Sequence, residues 1–410
     1  MNRQADLNNN LELEAKKLQL HWLLQITKAI NYNLPVSNLF EIYQSVLKEQ
    51  LGVGKLVLLI NEGVWMLPVS YGAEGPIPFT DNDDFAEQIR KMTEAGYESH
   101  EWLKQFETVV PVFHNDNPLA YALIGNLNVI NFPSKREIVT YIHTITNLIV
   151  VAIENKRMTK ESIRQAAQDR EMELAAQMQS MLFPANLITH SLLDIAATYI
   201  PHQSVGGDYY DFIKLNEHES LACMADVSGK GISAALLMSN FQANLHALIK
   251  HTSSSLESLV KELNDCVNRS ARGEKFITFF IAKINHSTNE IEYINAGHNP
   301  PMLVYQNEIA ILDQGTTGLG MFDELPFLNS GKLKFPKGSI LFCYTDGIIE
   351  MENSVGEPFG TEMLENLLLM HPTTSSMQHL HSVMVETFRN FSKEIGFNDD
   401  VTFLSVRISE

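Results

Sequence analysis

The sequence predicts an α+β protein made of two units joined by a long helix. Nearly continuous helical periodicity runs from Ser134 to Leu182 and stops at Pro184. Ahead of it, helical segments alternate with apolar runs of strand character and one hairpin signal. Behind it, short β-type runs separated by Gly, Asn and Asp dominate, with a few helices between them. A chain of 410 residues is long enough for two or three domains with more than one sizeable core.

In chain order, Leu13, Leu20, Leu23, Leu24 and Ile30 fall on one helical face, so a first helix covers this region until Asn33-Leu34-Pro35 breaks it. Helical period resumes from Asn38 to Leu51. "GKLVLLI" then reads as a buried strand ended by the turn residues Asn61-Glu62-Gly63. "ETVVPVF" and "LAYALIGNL", separated by "HNDNP", make a hairpin. Residues 1–133 are therefore assigned to one α+β domain with an N-terminal helix. Ser134 and Glu137 have the spacing of a capping box, and Ile138, Ile142, Ile145, Ile149, Ala152 and Ile153 share one side of the helix that follows. That helix would be about 70 Å long at 1.5 Å per residue, too long for one domain to bury. It reads either as two helices broken near Glu154 to Arg157 or as a linker, residues 134–183, that pairs with its copy as a coiled coil in a homodimer. The Met-rich stretch "MELAAQMQSMLF" at its end reads as helix packing. Residues 184–410 form the second domain.

Composition narrows the partners. There are 30 Lys plus Arg against 49 Asp plus Glu, a formal charge of -19, and no basic block, which argues against nucleic acid. Cys223, Cys266 and Cys343 lie far apart, with no CxxC pair, as buried thiols of a cytoplasmic protein would. The polar N-terminal stretch lacks the pattern of a secretion signal, and the apolar run "NLIVVAI" is too short to span a bilayer, so no integral membrane segment is expected.

The chemistry concentrates in four segments of the second domain: "SVGGDYYDF", "LACMADVSGKG", "SILFCYTDGIIE" and "GFNDDVTFLSVRI". Each reads as an apolar strand, then an aspartate at its end, then glycine or a turn, so that a hard oxygen ligand projects from a rigid frame. A lone Asp-Gly pair is usually a turn. If Asp208, Asp226, Asp346 and Asp399 converge, however, they cannot all stay ionised without a cation. Oxygen ligands without paired Cys or His favour Mg²⁺ or Mn²⁺, and a carboxylate bridging two ions about 3.5–4 Å apart would position a water for attack on phosphorus.

The run "SVGGDYYDF", "ADVSGKGISAALLM", "INAGHNPPML", "TTGLGMF", "YTDGIIEMENSVGEPFG" and "DDVTFLSVRI" resembles, in order and spacing, the SpoIIE/RsbU-type serine phosphatases of the PP2C (PPM) family from about Met181 to Ile408. The N-terminal region resembles a GAF-type sensory domain in its element order. The resemblance implies a C-terminal α-β-β-α sandwich of two antiparallel sheets flanked by helices, and hydrolysis of phosphoserine or phosphothreonine without a phosphoenzyme. It implies two Mn²⁺ or Mg²⁺ ions on Asp208, Asp226 as the bridge, the Val227 carbonyl, Asp346 and Asp399, with Gly206 and Gly207 letting the loop fold close. It also implies a phosphorylated STAS-domain anti-anti-sigma factor as substrate. Alternatives stay open at four positions. Asp211 is either a local structural acid or an outer ligand, and Asp400 divides the metal and turn roles with Asp399. His298 is an acid for the leaving oxygen or a hydrogen-bonded loop residue, and Lys230 attracts phosphate or is simply solvated. The competing function is a sensor module with a phosphatase fold and weak or no turnover. No cysteine lies in the GAF-like region, which argues against a bilin pigment there.

Overall fold

The computed structural model describes residues 2–77, 89–90, 101–128, 134–184, 187, 193–251, 255–371, 375–393 and 396–408. The chain divides into two compact units, Met1–Ala166 and Ala167–Glu410. The division falls inside a helix.

In the N-terminal unit, α1 (Asn2–Asn31) and α2 (Val36–Ser45), which runs on as one π-helical turn to Gln50, precede β1 (Val53–Asn61) and β2 (Trp65–Tyr71). Then come β3 (Thr108–His114), β4 (Asn117–Leu127) and α3 (Lys135–Ser180). The antiparallel sheet has the order β2-β1-β4-β3. Alternation along β1 decides its two faces. Leu56, Leu58 and Ile60 join Ile26, Tyr43, Ile138, Ile142, Ile145 and Ile149 in a core with the helices, while Val57 and Leu59 face Trp65, Phe106 and Tyr121 on the other side. The expected helix starts as read, with Ser134 Oγ accepting from the Glu137 N–H at 3.4 Å. Its 46 residues are unbroken at Glu154 to Arg157. Arg157 there pairs with Glu154 (2.6 Å) and Glu161 (3.5 Å), one helical turn to each side. By composition alone one stretch of α3 would pass for a membrane span, with a mean hydropathy of 1.3 over 18 residues, yet its isoleucines are buried in the core just described.

The C-terminal unit is an α-β-β-α sandwich. Its strands are β5 (Leu193–Ile200), β6 (Tyr209–Lys214), β7 (Glu219–Val227), β8 (Ile277–Asn285), β9 (Glu290–Ala296), β10 (Met302–Tyr305), β11 (Glu308–Ile311), β12 (Gly315–Thr316), β13 (Gly331–Lys334), β14 (Ile340–Tyr344) and β15 (Val401–Ile408). One sheet has the order β11-β10-β14-β15-β5; the other runs β12-β9-β8-β7-β6 with β13 also on β9. Among the described residues the named strands pair antiparallel except for the two-residue β12·β9 contact. Between the sheets lie Ile195, Ala222, Met224, Phe280, Leu303, Leu341, Cys343, Leu404 and Val406. The opposite residues of β7 and β8, Cys223, Ala225, Phe279 and Ile281, pack under α4 (Ile232–His251) and α5 (Leu256–Ala271). On the other sheet Phe342, Tyr344 and Phe403 pack under α6 (Asp346–Ile349), α7 (Gly360–Met370) and α8 (Met377–Ser392). Helix α5 shows why these segments are helical: Ser255 caps it by accepting from the Ser258 N–H, and Leu256, Leu259, Val260, Leu263 and Val267 make one buried stripe.

His381 on α8 is 1% exposed between Thr198 Oγ1 (2.8 Å from Nδ1) and Ser405 Oγ (2.9 Å from Nε2). Burial pulls its pKa from 6.5 down to about 3, so the folded ring stays neutral. The unfolded chain takes up that proton below pH 6.5, so the stability due to this ring is complete above 6.5 and falls as pH drops toward 3. The slope is about 1.4 kcal/mol per pH unit. Urea unfolding between pH 7.5 and 5 should therefore depend less on pH in His381→Asn than in the parent; equal slopes would contradict the buried neutral ring.

Candidate functional site

Antiparallel pairing brings the four acidic segments to one pole of the sandwich. Asp208 stands just before β6 and Asp226 one residue before the end of β7, in strands paired from Tyr209 opposite Ala225. Asp346 opens α6 just after β14, and Asp399 lies just before β15, in strands paired from Tyr344 opposite Phe403. The expectation that every acid follows its strand is thus corrected for two of them: Asp208 and Asp399 precede theirs. Because neighbouring strands run in opposite directions, the beginning of one lies beside the end of the next.

Asp208 is 2% exposed, and its Oδ2 accepts from the hydroxyls of Thr345 (2.8 Å) and Thr402. Burial first, then the Asp226 carboxylate, pushes its pKa well above the ordinary range, with the Thr402 hydrogen bond acting in the other direction. Asp226 is raised to about 7 by burial and by the charges of Asp346 and Asp399, against a hydrogen bond from Asp208. Asp346 is raised by burial, Glu350 and Asp399. The carboxylates therefore feel one another across four segments. Val227, whose side chain is buried, has its carbonyl beside Gly207: a Cβ on that glycine would meet the oxygen at 2.9 Å. At Gly206 a Cβ would meet Asp400 Oδ2 at 2.0 Å, so no side chain fits that loop position without a shift.

The residues with open roles separate by their partners. Asp400 is 9% exposed, and its two oxygens accept from the backbone N–H groups of His202 (2.8 Å) and Gly207 (3.0 Å). It ties the loop that carries Asp208 to the start of β15. Asp399 instead pairs with Lys230 Nζ at 2.8 Å. Asp211 is occupied by Tyr209 Oη (2.6 Å), His246 Nε2 (2.7 Å) and the Phe212 N–H (2.7 Å), a structural set. His298 is buried, with Nδ1 on Thr278 Oγ1 at 2.9 Å and its backbone N–H on Asn295 Oδ1 at 2.7 Å. Burial pulls its pKa to about 4, which favours the neutral ring of a hydrogen-bonded loop residue.

Three contributors escaped the sequence reading. Thr345 directly precedes Asp346 and Thr402 lies two residues after Asp400, and that nearness was the available signal. Gln179, near the end of α3, is 6% exposed and holds both backbone groups of Gly206, donating to its carbonyl at 2.7 Å and accepting from its N–H at 3.2 Å. Nothing local marks it among the glutamines of that helix. The neighbouring Met178 and Met181, expected to pack, are 69% and 75% exposed in the single chain.

Among the described residues no three acidic, imidazole or thiol side chains are already closed into a cation cage. The donor set nevertheless fits a divalent cation. It is oxygen-only, crowded with like charge, and seated on strand ends.

Residues 216–409 match the family model described as Stage II sporulation protein E (SpoIIE). The phosphoserine phosphatase RsbU of Bacillus subtilis (strain 168) is 28% identical over 272 residues, covering 65% of this chain and 79% of that protein. The phosphoserine phosphatase RsbP of the same organism is 26% identical over 251 residues, 58% of each. Among solved structures, the SiaA-PP2C domain of Pseudomonas aeruginosa superposes with a TM-score of 0.54 at 17% identity, covering 60% of this chain and 99% of that one, and so shares the fold. The sandwich with its acidic pole thus has a PP2C-like fold, and its relatives named phosphoserine phosphatase support a hydrolase. Residues 216–409 are similar to the SpoIIE-type phosphatase domain, and the chain to the serine phosphatases RsbU and RsbP.

The adjacent acids should part company on substitution. Asp400→Ala leaves the buried Gly207 N–H and the part-buried His202 N–H unpaired and should cost about 1–3 kcal/mol. Asp399→Asn keeps the shape and loses only a partly exposed ion pair, about 1 kcal/mol or less. Chemical unfolding of both variants checks this; equal losses would show that the two carboxylates are not divided in this way.

Proposed function

We propose that the protein hydrolyses phosphoserine or phosphothreonine on a protein substrate, using Mn²⁺ or Mg²⁺ held by Asp208, Asp226, Asp346, Asp399 and the Val227 carbonyl. The observation that carries this is the convergence of Asp208, Asp226, Asp346 and Asp399 at one pole of the sandwich, where burial and neighbouring carboxylates raise the cost of ionising Asp208, Asp226 and Asp346. Bound divalent cations supply the charge that acidifies a water and offsets the phosphoryl oxygens. The chain's own residues do the positioning. Thr345 and Thr402 fix the orientation of Asp208, and Asp400 holds the Gly207 N–H so that the Asp208 loop stays against β15. Asp226 stands where it feels Asp208, Asp346 and Asp399 at once, which supports its reading as the bridge. No side-chain nucleophile is required, in keeping with the structural roles of Asp211 and His298.

The substrate we assign by kinship is a phosphorylated STAS-domain anti-anti-sigma factor in a partner-switching pathway of the cytoplasm. The N-terminal unit is read as a GAF-like sensor. The route for its signal is α3, whose Gln179 grips the loop that presents Asp208. The exposed Met178 and Met181 support pairing of that helix with a second copy in a homodimer.

With Mn²⁺ and either an aryl phosphate or a phosphorylated STAS protein, Asp226→Asn should lose at least roughly a hundredfold in rate, about 3 kcal/mol of transition-state stabilisation. Unchanged turnover would remove the proposed centre. A protein whose melting temperature ignores Mn²⁺ would instead be a partner-binding module with this fold. In sedimentation the full chain should run as a dimer, and a chain beginning at Gln177 should lose that dimer or change its rate. An identical rate and assembly would exclude α3 as the regulatory element.

A further inference from the structure

Lys230 is neither simply solvated nor free to meet a phosphate. It follows β7 between Gly229 (φ 82°) and Gly231 (φ 77°), two left-handed positions that swing the loop back toward the acids. Its Nζ lies 2.8 Å from Asp399 Oδ2 and donates to the Asn398 carbonyl at 2.8 Å. One ammonium thus answers one carboxylate of a set built for more positive charge. Asp399 also accepts from the Asp400 N–H through its other oxygen, at 2.8 Å, so both of its oxygens are engaged.

Resting on the phosphatase reading, we propose that Lys230 is a built-in counter-cation of the centre: it holds Asp399 while no divalent ion is bound and must give up that oxygen when one enters. A divalent ion on Asp399 and an ammonium within hydrogen-bonding distance of the same carboxylate repel each other strongly at such short range. Lys230 therefore weakens cation binding and sets the concentration at which the centre fills. The residue type suits the task. Lysine is a single point charge on a flexible stem and releases one oxygen readily, whereas arginine would grip a carboxylate with two parallel bonds. Its half-exposed side chain has solvent to move into once displaced.

The test is calorimetric titration of Mn²⁺ into the full chain at low ionic strength, for the parent, Lys230→Met, Lys230→Gln and Lys230→Arg, with melting in EDTA as the check of folding. Lys230→Met and Lys230→Gln should bind Mn²⁺ about tenfold tighter or more. Lys230→Arg should bind no tighter than the parent. Equal or weaker binding by both neutral variants, in a parent that does bind Mn²⁺, overturns the counter-cation and leaves the phosphatase reading intact. A parent that binds no Mn²⁺ removes both.

Discussion

Repulsion among like charges at one pole of the sandwich is the constraint to which the rest of the C-terminal unit answers. Asp208 is almost completely buried, and Asp226 and Asp346 are more than half withdrawn from water, each within the field of other carboxylates. A loose frame would let these groups drift apart. Here each sits at the junction of a strand and a turn, on two sheets whose shared interior is filled by Met224, Phe280, Leu341 and Leu404. A large apolar side chain fully buried contributes roughly 1.5–3 kcal/mol, and the packing of the inner faces opposes that repulsion.

Around that frame, chemically identical acids receive different tasks from their neighbours. Asp399 and Asp400 are adjacent in the chain, yet one meets an ammonium and the other two backbone N–H groups. Asp208 and Asp211 flank two tyrosines; the first is oriented by two threonine hydroxyls, the second is absorbed by Tyr209, His246 and its own strand. A carboxylate whose oxygens are both spent on fixed backbone donors braces a loop. One held by hydroxyls or a mobile lysine keeps capacity for a cation.

Helix α3 is divided in a comparable way along its length. Its first half has isoleucines at helical spacing buried in the N-terminal core, whereas its later turns are charged and exposed apart from the Gln179 contact with Gly206. An amide side chain that satisfies both backbone groups of one glycine behaves like a short piece of neighbouring strand, and it ties helix position to the loop of Asp208 without any charge.

By itself the sequence determined the elements and the motif chemistry. Leucine and isoleucine spacing specified the helices, apolar runs bounded by turn residues specified β1, β3 and β4, and the repeated setting of aspartate beside glycine or a turn marked Asp208, Asp226, Asp346 and Asp399, because such signals lie within a few residues of chain. Tertiary structure alone decided which acid does what. The partners that divide Asp399 from Asp400, seat Asp208 between Thr345 and Thr402, spend His298 on Thr278 and bring Gln179 to Gly206 come from distant segments, up to 198 residues apart for Asp400 and His202. Hydrogen bonding and Coulomb interaction depend on distance in space, and that distance is set only when the two sheets pack.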